Sequence, residues 1–341
     1  MGVTLTNTNA AKISAALLKA RRSAGSPAMG MVLTLIIVCD ESEYEAAMKA
    51  SMEAGREHPS RILLVVSGQG RTALLDAEVR IGEGTPGEVV IIRMRGAIAA
   101  HPASVIRPLL LPDSPVVIWW PGKCPTNLAD DELAQLARRR LTDAATAARP
   151  LAALRTRAEN YTPGDTDLSW TRLTPWRALL AAALDQYPSK ITSALVEAEP
   201  SNPSADLLAA WLQNQLNLDV TRRVSDGPGI TAVRLGTAAG DIAITRPDGL
   251  LASYTVPGQP ERLVALKRRE VTELISEELR RMHPDNVFES IVKTLAHPPA
   301  AAKKSATKKS AARKRAATKL PAKKPAAKRA SKKSASGRTR G

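Results

Sequence analysis

Apolar residues along this chain follow a helical period in some stretches and a strand period in others. Between residues 8 and 24, Ile13, Leu17, Ala20 and Ala24 share one helical face, and Gly25 ends the helix. Met31 to Cys39 is an unbroken apolar run rich in Val and Ile, which predicts a strand covered on both faces. Asp40, Glu41 and Glu43 suit the start of a helix that runs to Glu57 and stops before His58-Pro59. Arg61 to Ser67 reads as a second buried strand. Leu75, Ala77, Val79 and Ile81 alternate with Asp76, Glu78 and Arg80, which predicts a strand with one wet face. Glu88 to Arg95 and Ser114 to Trp120 are further strands, with a helix over Pro102 to Leu110 between them. This order predicts a mixed α/β sheet with helices packed on it.

Residues 121–165 connect the halves, with helices predicted over Asp130 to Arg140 and Pro150 to Asn160. Residues 164–176 read as a loop. Thr174-Pro175 then predicts a helix start, a hydroxyl N-cap followed by proline at the first helical position. Trp176, Leu179, Leu180, Ala183 and Leu184 form its buried stripe. A short strand over Ile191 to Val196 follows. Asn202-Pro203 repeats the cap-then-proline start, with Leu207, Leu208, Trp211 and Gln215 at helical spacing. Four strands lie near Val220, Ile230 to Leu235, Asp241 to Arg246 and Leu250 to Val256. Asp226-Gly227-Pro228-Gly229 and Pro247-Asp248-Gly249 between them read as hairpin turns. Two helices close the body, one with Val271, Leu274, Ile275 and Leu279, the other with Val287, Phe288, Ile291 and Leu295.

The predicted fold class is therefore α/β (α+β). It comprises a mixed α/β sheet domain over 1–125, a helical connector over 126–163 and an antiparallel sheet-and-helix domain over 164–298. A disordered Lys/Ala-rich tail takes 299–341.

Charge separates the tail from everything before it. The 341 residues include 49 Lys or Arg and 33 Asp or Glu. Sixteen of the basic residues and none of the acidic ones lie in 300–341, so residues 1–299 carry 33 of each. The tail holds no aromatic residue and one leucine, too little apolar surface to offset the entropy of ordering. Its composition resembles the tails of linker histones. Lys303, Lys304, Lys308, Lys309, Arg313, Lys314, Arg315, Lys323, Lys324, Lys328, Arg329, Lys332 and Lys333 are the candidate residues for nonspecific nucleic-acid or other polyanion binding. The plainer alternative is a solubilising extension. A neutral body argues against a dedicated nucleic-acid-binding domain, which usually carries its own basic face.

Candidate chemistry narrows further. Gly82-Glu83-Gly84-Thr85-Pro86-Gly87 has dinucleotide-loop spacing, but a strand follows where a helix would have to open, so it reads as a hairpin loop. His58, His101, His283 and His297 each precede a proline, and no two have metal-ligand spacing. Cys39 reads as a small core residue. Cys124 reads as an ordinary loop thiol, although neighbouring Lys123 would favour its thiolate. Two cysteines make no disulfide framework. Met1 to Thr6 matches the permissive myristoylation pattern, which is short enough to arise by chance. The longest apolar run is too short for a bilayer, so no membrane partner is expected and the location is expected to be cytoplasmic. No cofactor, metal set or catalytic constellation emerges, and no enzyme activity is expected.

Two segments stand out. Trp119 and Trp120 are adjacent on a strand, so they point to opposite faces; one enters the core and the other is left at a surface, seam or interface. In the loop over 164–176, Asp165, Asp167 and Arg172 frame Trp170, with Trp176 beyond. That loop is an inter-domain staple with Arg172 paired to an aspartate, a partner-binding patch, or a sugar or sugar-phosphate site; Trp and Arg are frequent hot-spot types. Trp119, Trp120, Asp165, Asp167, Trp170, Arg172 and Trp176 are the candidate partner-binding residues.

The same segments carry a resemblance. Leu110 to Val117 with Trp119-Trp120-Pro121-Gly122, Arg139 to Asp143, Pro163 to Arg177, and Pro203 to Trp211 resemble the glucose-6-phosphate dehydrogenase assembly family, OpcA, in its actinobacterial form. The resemblance spans residues 5–295 in consistent order, and the tail lies outside it. It implies a non-catalytic, two-domain cytoplasmic protein. Its partner would be glucose-6-phosphate dehydrogenase of the oxidative pentose phosphate pathway, which it helps to assemble or activate. Thioredoxin-linked control through cysteines, known for cyanobacterial members, is not expected with only Cys39 and Cys124.

Overall fold

Long runs of valine, isoleucine and leucine are most stable in the middle of a sheet covered on both sides, and the first half of the chain is built that way. The structure is a computed structural model that describes residues 2–23, 30–82 and 87–297. Its first sheet comprises β1 (Gly2–Leu5), β2 (Leu33–Cys39), β3 (Ser60–Gly68), β4 (Leu74–Ile81), β5 (Glu88–Arg95), β6 (Val116–Trp119), β7 (Arg139–Thr142) and β8 (Asp165–Asp167). The order is β1-β4-β5-β3-β2-β6-β7-β8. β5, β3, β2, β6, β7 and β8 run parallel, while β4 and β1 add an antiparallel edge. Helices α1 (Ala10–Ser23) and α3 (Pro102–Ile106) cover one face, and α2 (Tyr44–Glu57) covers the other. Ile36, Leu63 and Val90 meet α1's Ile13 and Leu17 on the first face, and Ile37, Leu64 and Ile91 meet α2's Ala47, Ala50 and Ala54 on the second.

The second half contains α4 (Pro150–Glu159), α5 (Leu168–Thr171), α6 (Thr174–Gln186), α7 (Pro203–Leu216), α8 (Val271–Leu279) and α9 (Asn286–Ala296). Its strands are β9 (Ser193–Ala198), β10 (Val220–Val224), β11 (Ile230–Thr237), β12 (Gly240–Thr245), β13 (Leu251–Thr255) and β14 (Arg262–Ala265), in the order β10-β9-β11-β12-β13-β14. β10 runs parallel to β9, and every other pair is antiparallel. Val196, Val233, Leu235, Ile242, Ile244 and Tyr254 face α6, α7 and α9 through Leu180, Leu207, Leu208 and Ile291. Strand alternation sends Glu197, Arg234, Thr245, Ser253, Leu251 and Leu263 to the other face. There Leu251 is 44% and Leu263 68% exposed.

Helix α8 departs from this second layer. Its Leu274, Ile275 and Leu279 pack with Leu35, Ile37, Ile62 and Trp119 on the α2 face of the first sheet. Thr272 Oγ1 donates to Glu53 at 3.0 Å, and Arg280 pairs with Glu57. The end of the body thus covers its beginning.

Five local readings differ from the structure. Residues 128–140 form two short 3-10 turns and then strand β7, not a helix from Asp130 to Arg140. The Asp131 carboxylate accepts from Leu133 and Ala134 N–H, which caps one turn only, and β7 then pairs with β6 and β8. The loop over 164–176 contains β8 and α5. Thr174 does not cap α6: Leu173 occupies the N-cap, and the Thr174 hydroxyl instead donates to Glu277 at 2.8 Å. Gln215 is exposed and Leu212 takes its place in the buried stripe of α7. Asp226 to Gly229 is no hairpin turn, because β9 lies between β10 and β11. Strand β14 is an addition. By contrast, β4 and β5 do form a hairpin, with Ile81 opposite Glu88; residues 83–86 of its loop lie outside the described residues.

Candidate functional site

The segments singled out in the sequence meet where the first sheet ends and the second layer begins. β7 and β8 are short because their side chains are mostly polar, and those polar groups have to be paired when buried. Arg139 is buried. Its guanidinium donates to Glu278 of α8, to Thr166 Oγ1 of β8 at 2.8 Å and to the His283 carbonyl at 3.1 Å. Glu278 also accepts from Thr171 Oγ1 at 2.7 Å. Arg140 donates to Asp165, to Thr162 Oγ1 and to the Pro163 carbonyl. The turn before β8 requires Gly164, with φ at +100° and the Arg138 carbonyl 2.5 Å from where a Cβ would sit.

Next to this lies an aspartate pair. Asp167 accepts from Thr142 Oγ1 at 2.8 Å, Ala144 N at 2.9 Å and Ser169 N at 2.9 Å. Asp143 is gripped by both terminal nitrogens of Arg172 at 2.7 and 2.6 Å. Burial, and then the charge of Asp143, hold the Asp167 carboxyl above its ordinary value. Burial likewise raises Glu278, with Arg139 acting in the opposite direction. Burial works against the charged form of Arg172, but the hydrogen bonds and charge of Asp143 outweigh it and raise its pKa. Each of these carboxylates is held by fixed donors from a different element, an arrangement that clamps β7, β8, α5 and α8 together.

Trp170 completes the clamp. It is 1% exposed, and its indole N–H donates to Asp285 at 2.9 Å, the residue that caps α9 through Val287 and Phe288 N–H. Arg177 lies 3.7 Å over the Trp170 ring, and Phe288 packs 5.8 Å away between rings. Trp176 sits beneath Arg246 at 5.0 Å and belongs to the core of the second layer. Trp119 and Trp120 do point to opposite faces, but neither is left at a surface, because the first sheet is covered on both sides. Six of the seven candidate partner-binding side chains, Trp119, Trp120, Asp165, Asp167, Trp170 and Trp176, are thus interior. Arg172 is partly exposed, and its partner is Asp143 rather than either aspartate of its own loop.

Burial raises the thiol of Cys39 to about 12, and burial also raises that of Cys124 in spite of nearby Arg157. Lys123 therefore does not make Cys124 a thiolate. Sequence reasoning missed Arg139, Asp143, Glu278 and Asp285 as members of the network. The adjacent Arg139-Arg140 pair on a four-residue strand was the available signal, and nothing in the sequence links it to Glu278 across 139 positions. It also missed Arg246, which follows β12 just before a turn and looks like a surface residue in sequence. Among the described residues no cluster of His, Cys, Asp or Glu is placed to hold a metal ion, and no helix is long and apolar enough to cross a membrane. The thirteen basic candidates from Lys303 to Lys333 lie outside the described residues.

Two family models match the chain in succession. One describes the N-terminal domain of a glucose-6-phosphate dehydrogenase subunit and covers residues 51–159; the other describes the C-terminal domain of the same subunit and covers residues 163–292. No curated protein matches the sequence. Among solved structures, a 3-ketoreductase from Actinomadura kijaniata, in complex with TDP-benzene and NADP, is similar with a TM-score of 0.43 at 11% identity; the match covers 77% of this chain and 95% of that one. An oxidoreductase from Sinorhizobium meliloti is similar with a TM-score of 0.38 at 11% identity, over 76% of this chain and 86% of that one. Similarity at this level assigns no chemistry.

Proposed function

This chain belongs to the glucose-6-phosphate dehydrogenase assembly family, OpcA, and from that premise we propose that it is a non-catalytic partner that binds the dehydrogenase through the face of its second sheet that no helix covers among the described residues. The observation that carries the choice of face is the exposure of Leu251 and Leu263 on adjacent strands, with Ser253 opposite Leu263 and Leu251 opposite Ala265. A face that mixes exposed leucines with Glu197, Arg234 and Thr245 around a concavity has the apolar centre and polar rim of a protein interface. The interior clamp supports this reading indirectly. It fixes the second layer against the first and leaves Trp119, Trp120, Asp165, Asp167, Trp170, Arg172 and Trp176 to hold the shape of the binding face rather than to touch the partner. The polycationic tail favours a separate role in nonspecific nucleic-acid or polyanion binding, because its sixteen positive charges are segregated from a neutral body.

The test is titration of the cognate dehydrogenase with the full chain at salt high enough to screen the tail. The chain alone is expected to oxidise no glucose 6-phosphate. Added to the enzyme, it should produce a saturable change in activity or oligomer distribution, as expected for a partner with differential affinity for one state. Leu263→Asp with Leu251→Asp should abolish that change. Binding that survives the double variant means the face is wrong; no complex with the unaltered chain means the function is wrong.

A further inference from the structure

We propose that the second layer contains a binding site for the phosphoryl group of a small phosphorylated molecule, floored by Arg246 and Trp176 and gated by Arg268. The site is a cavity of about 70 Å³ where the starts of α6, α7 and β11 meet the end of β12 and the segment after β14. That is room for about two waters' share of liquid, the scale of one phosphoryl group rather than of a whole metabolite. Among the described residues its lining contains five cationic side chains and no carboxylate.

Three of the five cations are already neutralised from outside the cavity. Arg172 is paired with Asp143 at 2.6 Å, Arg269 with Glu277 at 2.5 Å and Lys267 with Glu273 at 3.2 Å. Among the described residues, Arg246 and Arg268 have no carboxylate partner. Arg246 is 4% exposed. Two of its donors are used, on the Leu266 carbonyl at 2.7 Å and the Ile230 carbonyl at 3.0 Å, and its buried Nε has no partner. A buried cation without a counter-ion is unfavourable. Burial and the like charge of Arg268 pull its pKa down to about 10, with Asp248 acting weakly in the other direction from a fully exposed position.

The fold thus holds two unmatched positive charges together against their own repulsion, and a bound dianion would relieve both. A phosphate monoester carries a charge of about −1.5 to −2 near neutral pH, which matches that pair better than a carboxylate does. Arginine's planar fork also suits phosphate geometry. The first turns of α6 and α7, helices of 13 and 14 residues, border the same cavity and add their positive dipole ends. Lys267 and Arg268 are exposed at the mouth while Arg246 is buried at the floor. The phosphoryl group therefore sits inside and the rest of the molecule extends into solvent. This proposal does not rest on the dehydrogenase reading, because ligand binding is measured on the chain alone.

The experiment is calorimetric titration of the full chain with inorganic phosphate and, separately, with glycerol 3-phosphate, at constant ionic strength. Arg268→Ser and Arg246→Met, which retain the same tail, are titrated beside it. Arg268 is exposed and makes no side-chain hydrogen bond or ion pair among the described residues, so Arg268→Ser keeps the fold even if Arg246→Met does not. Saturable binding of both probes is expected, weakened about tenfold or more in Arg268→Ser through loss of a charge-assisted contact. Three results would overturn the proposal: no saturable binding, binding unchanged in the variants, or binding of inorganic phosphate with the ester excluded.

Discussion

Leu64 in β3 and Leu263 in β14 are the same side chain in the same kind of element, yet one is fully buried and the other is 68% exposed. The difference belongs to the sheets, not the residues. The first sheet has helices on both faces, including α8 from the far end of the chain, so its apolar surface is used up in its own core. Among the described residues, the second sheet has helices on one face only. Single exposed leucines are ordinary on protein surfaces. Leu251 and Leu263 on neighbouring strands, with Leu250 at the adjoining turn, form a patch on the face of the second sheet that no helix covers among the described residues. The comparison separates a scaffold from a surface, and the clamp around Arg139, Asp167 and Trp170 is the joint between them.

The joint offers the largest effects. Trp170→Ala removes a fully buried indole together with its hydrogen bond to Asp285 and its stacking with Arg177. It should cost about 4 kcal/mol of stability. A thermal or denaturant melt measures it, and a shift as small as that of a surface substitution would break the claim that the joint is structural.

Arg139→Met comes next. It leaves Glu278 buried without its ion-pair partner and should cost about 3 kcal/mol. Adding Glu278→Leu should recover most of that loss, since a well-packed apolar pair often matches a buried ion pair. Chemical denaturation of the single and double variants gives the coupling directly. A double variant no better than the single one would mean that Glu278's bond to Thr171, not its pairing with Arg139, sets the cost.

A smaller effect lies in pH. An acid raised by burial binds its proton more tightly in the folded chain than in the unfolded one. The contribution of Asp167 is therefore fully present below about pH 3.9, its unfolded value, and is lost as pH rises through its higher folded value. Glu278 acts in the same direction. Asp167→Asn should flatten the fall in melting temperature as pH rises above about 4 without removing it, because Glu278 remains. An unchanged slope would place the pH sensitivity outside the joint. At the bottom of the scale, Leu263→Asp with Leu251→Asp should move stability by no more than about 0.5 kcal/mol per site while abolishing dehydrogenase binding. That variant separates the two regions, because scaffold changes alter stability first and face changes alter binding alone.

What the sequence already shows follows from short-range physics. The runs of Val, Ile and Leu in β2, β3 and β5 announce covered strands, and Asn202-Pro203 announces α7, where the Asn202 side chain does accept from Ala205 N–H. The alternation in β4 matches its burial, with every second residue buried. Blocks such as Pro163 to Arg177 mark the family before any fold is known, and the charge segregation of the tail needs no coordinates. Each of these signals lies within a few residues of what it predicts.

The remaining features depend on partners distant in sequence. Residues 130–140 read as a helix, yet Arg139 and Arg140 become a strand because β6, β8 and Glu278 are waiting beside them. Thr174 looks like a cap and instead reaches Glu277, 103 positions away. In sequence the Trp170 loop is equally a staple, a partner patch or a sugar or sugar-phosphate site; in the structure Asp165, Asp167 and Arg172 each find a partner from another element, and Trp170 goes inside. Arg246 is the converse. Its burial beside Arg268 without a counter-ion is invisible in a sequence where Asp248 stands two residues away. Local pattern specifies most segments as helix or strand and which of their faces are apolar; pairing between distant charges and strands and the covering of faces are long-range, and these decide the rest, including which residues are scaffold and which are left as surface.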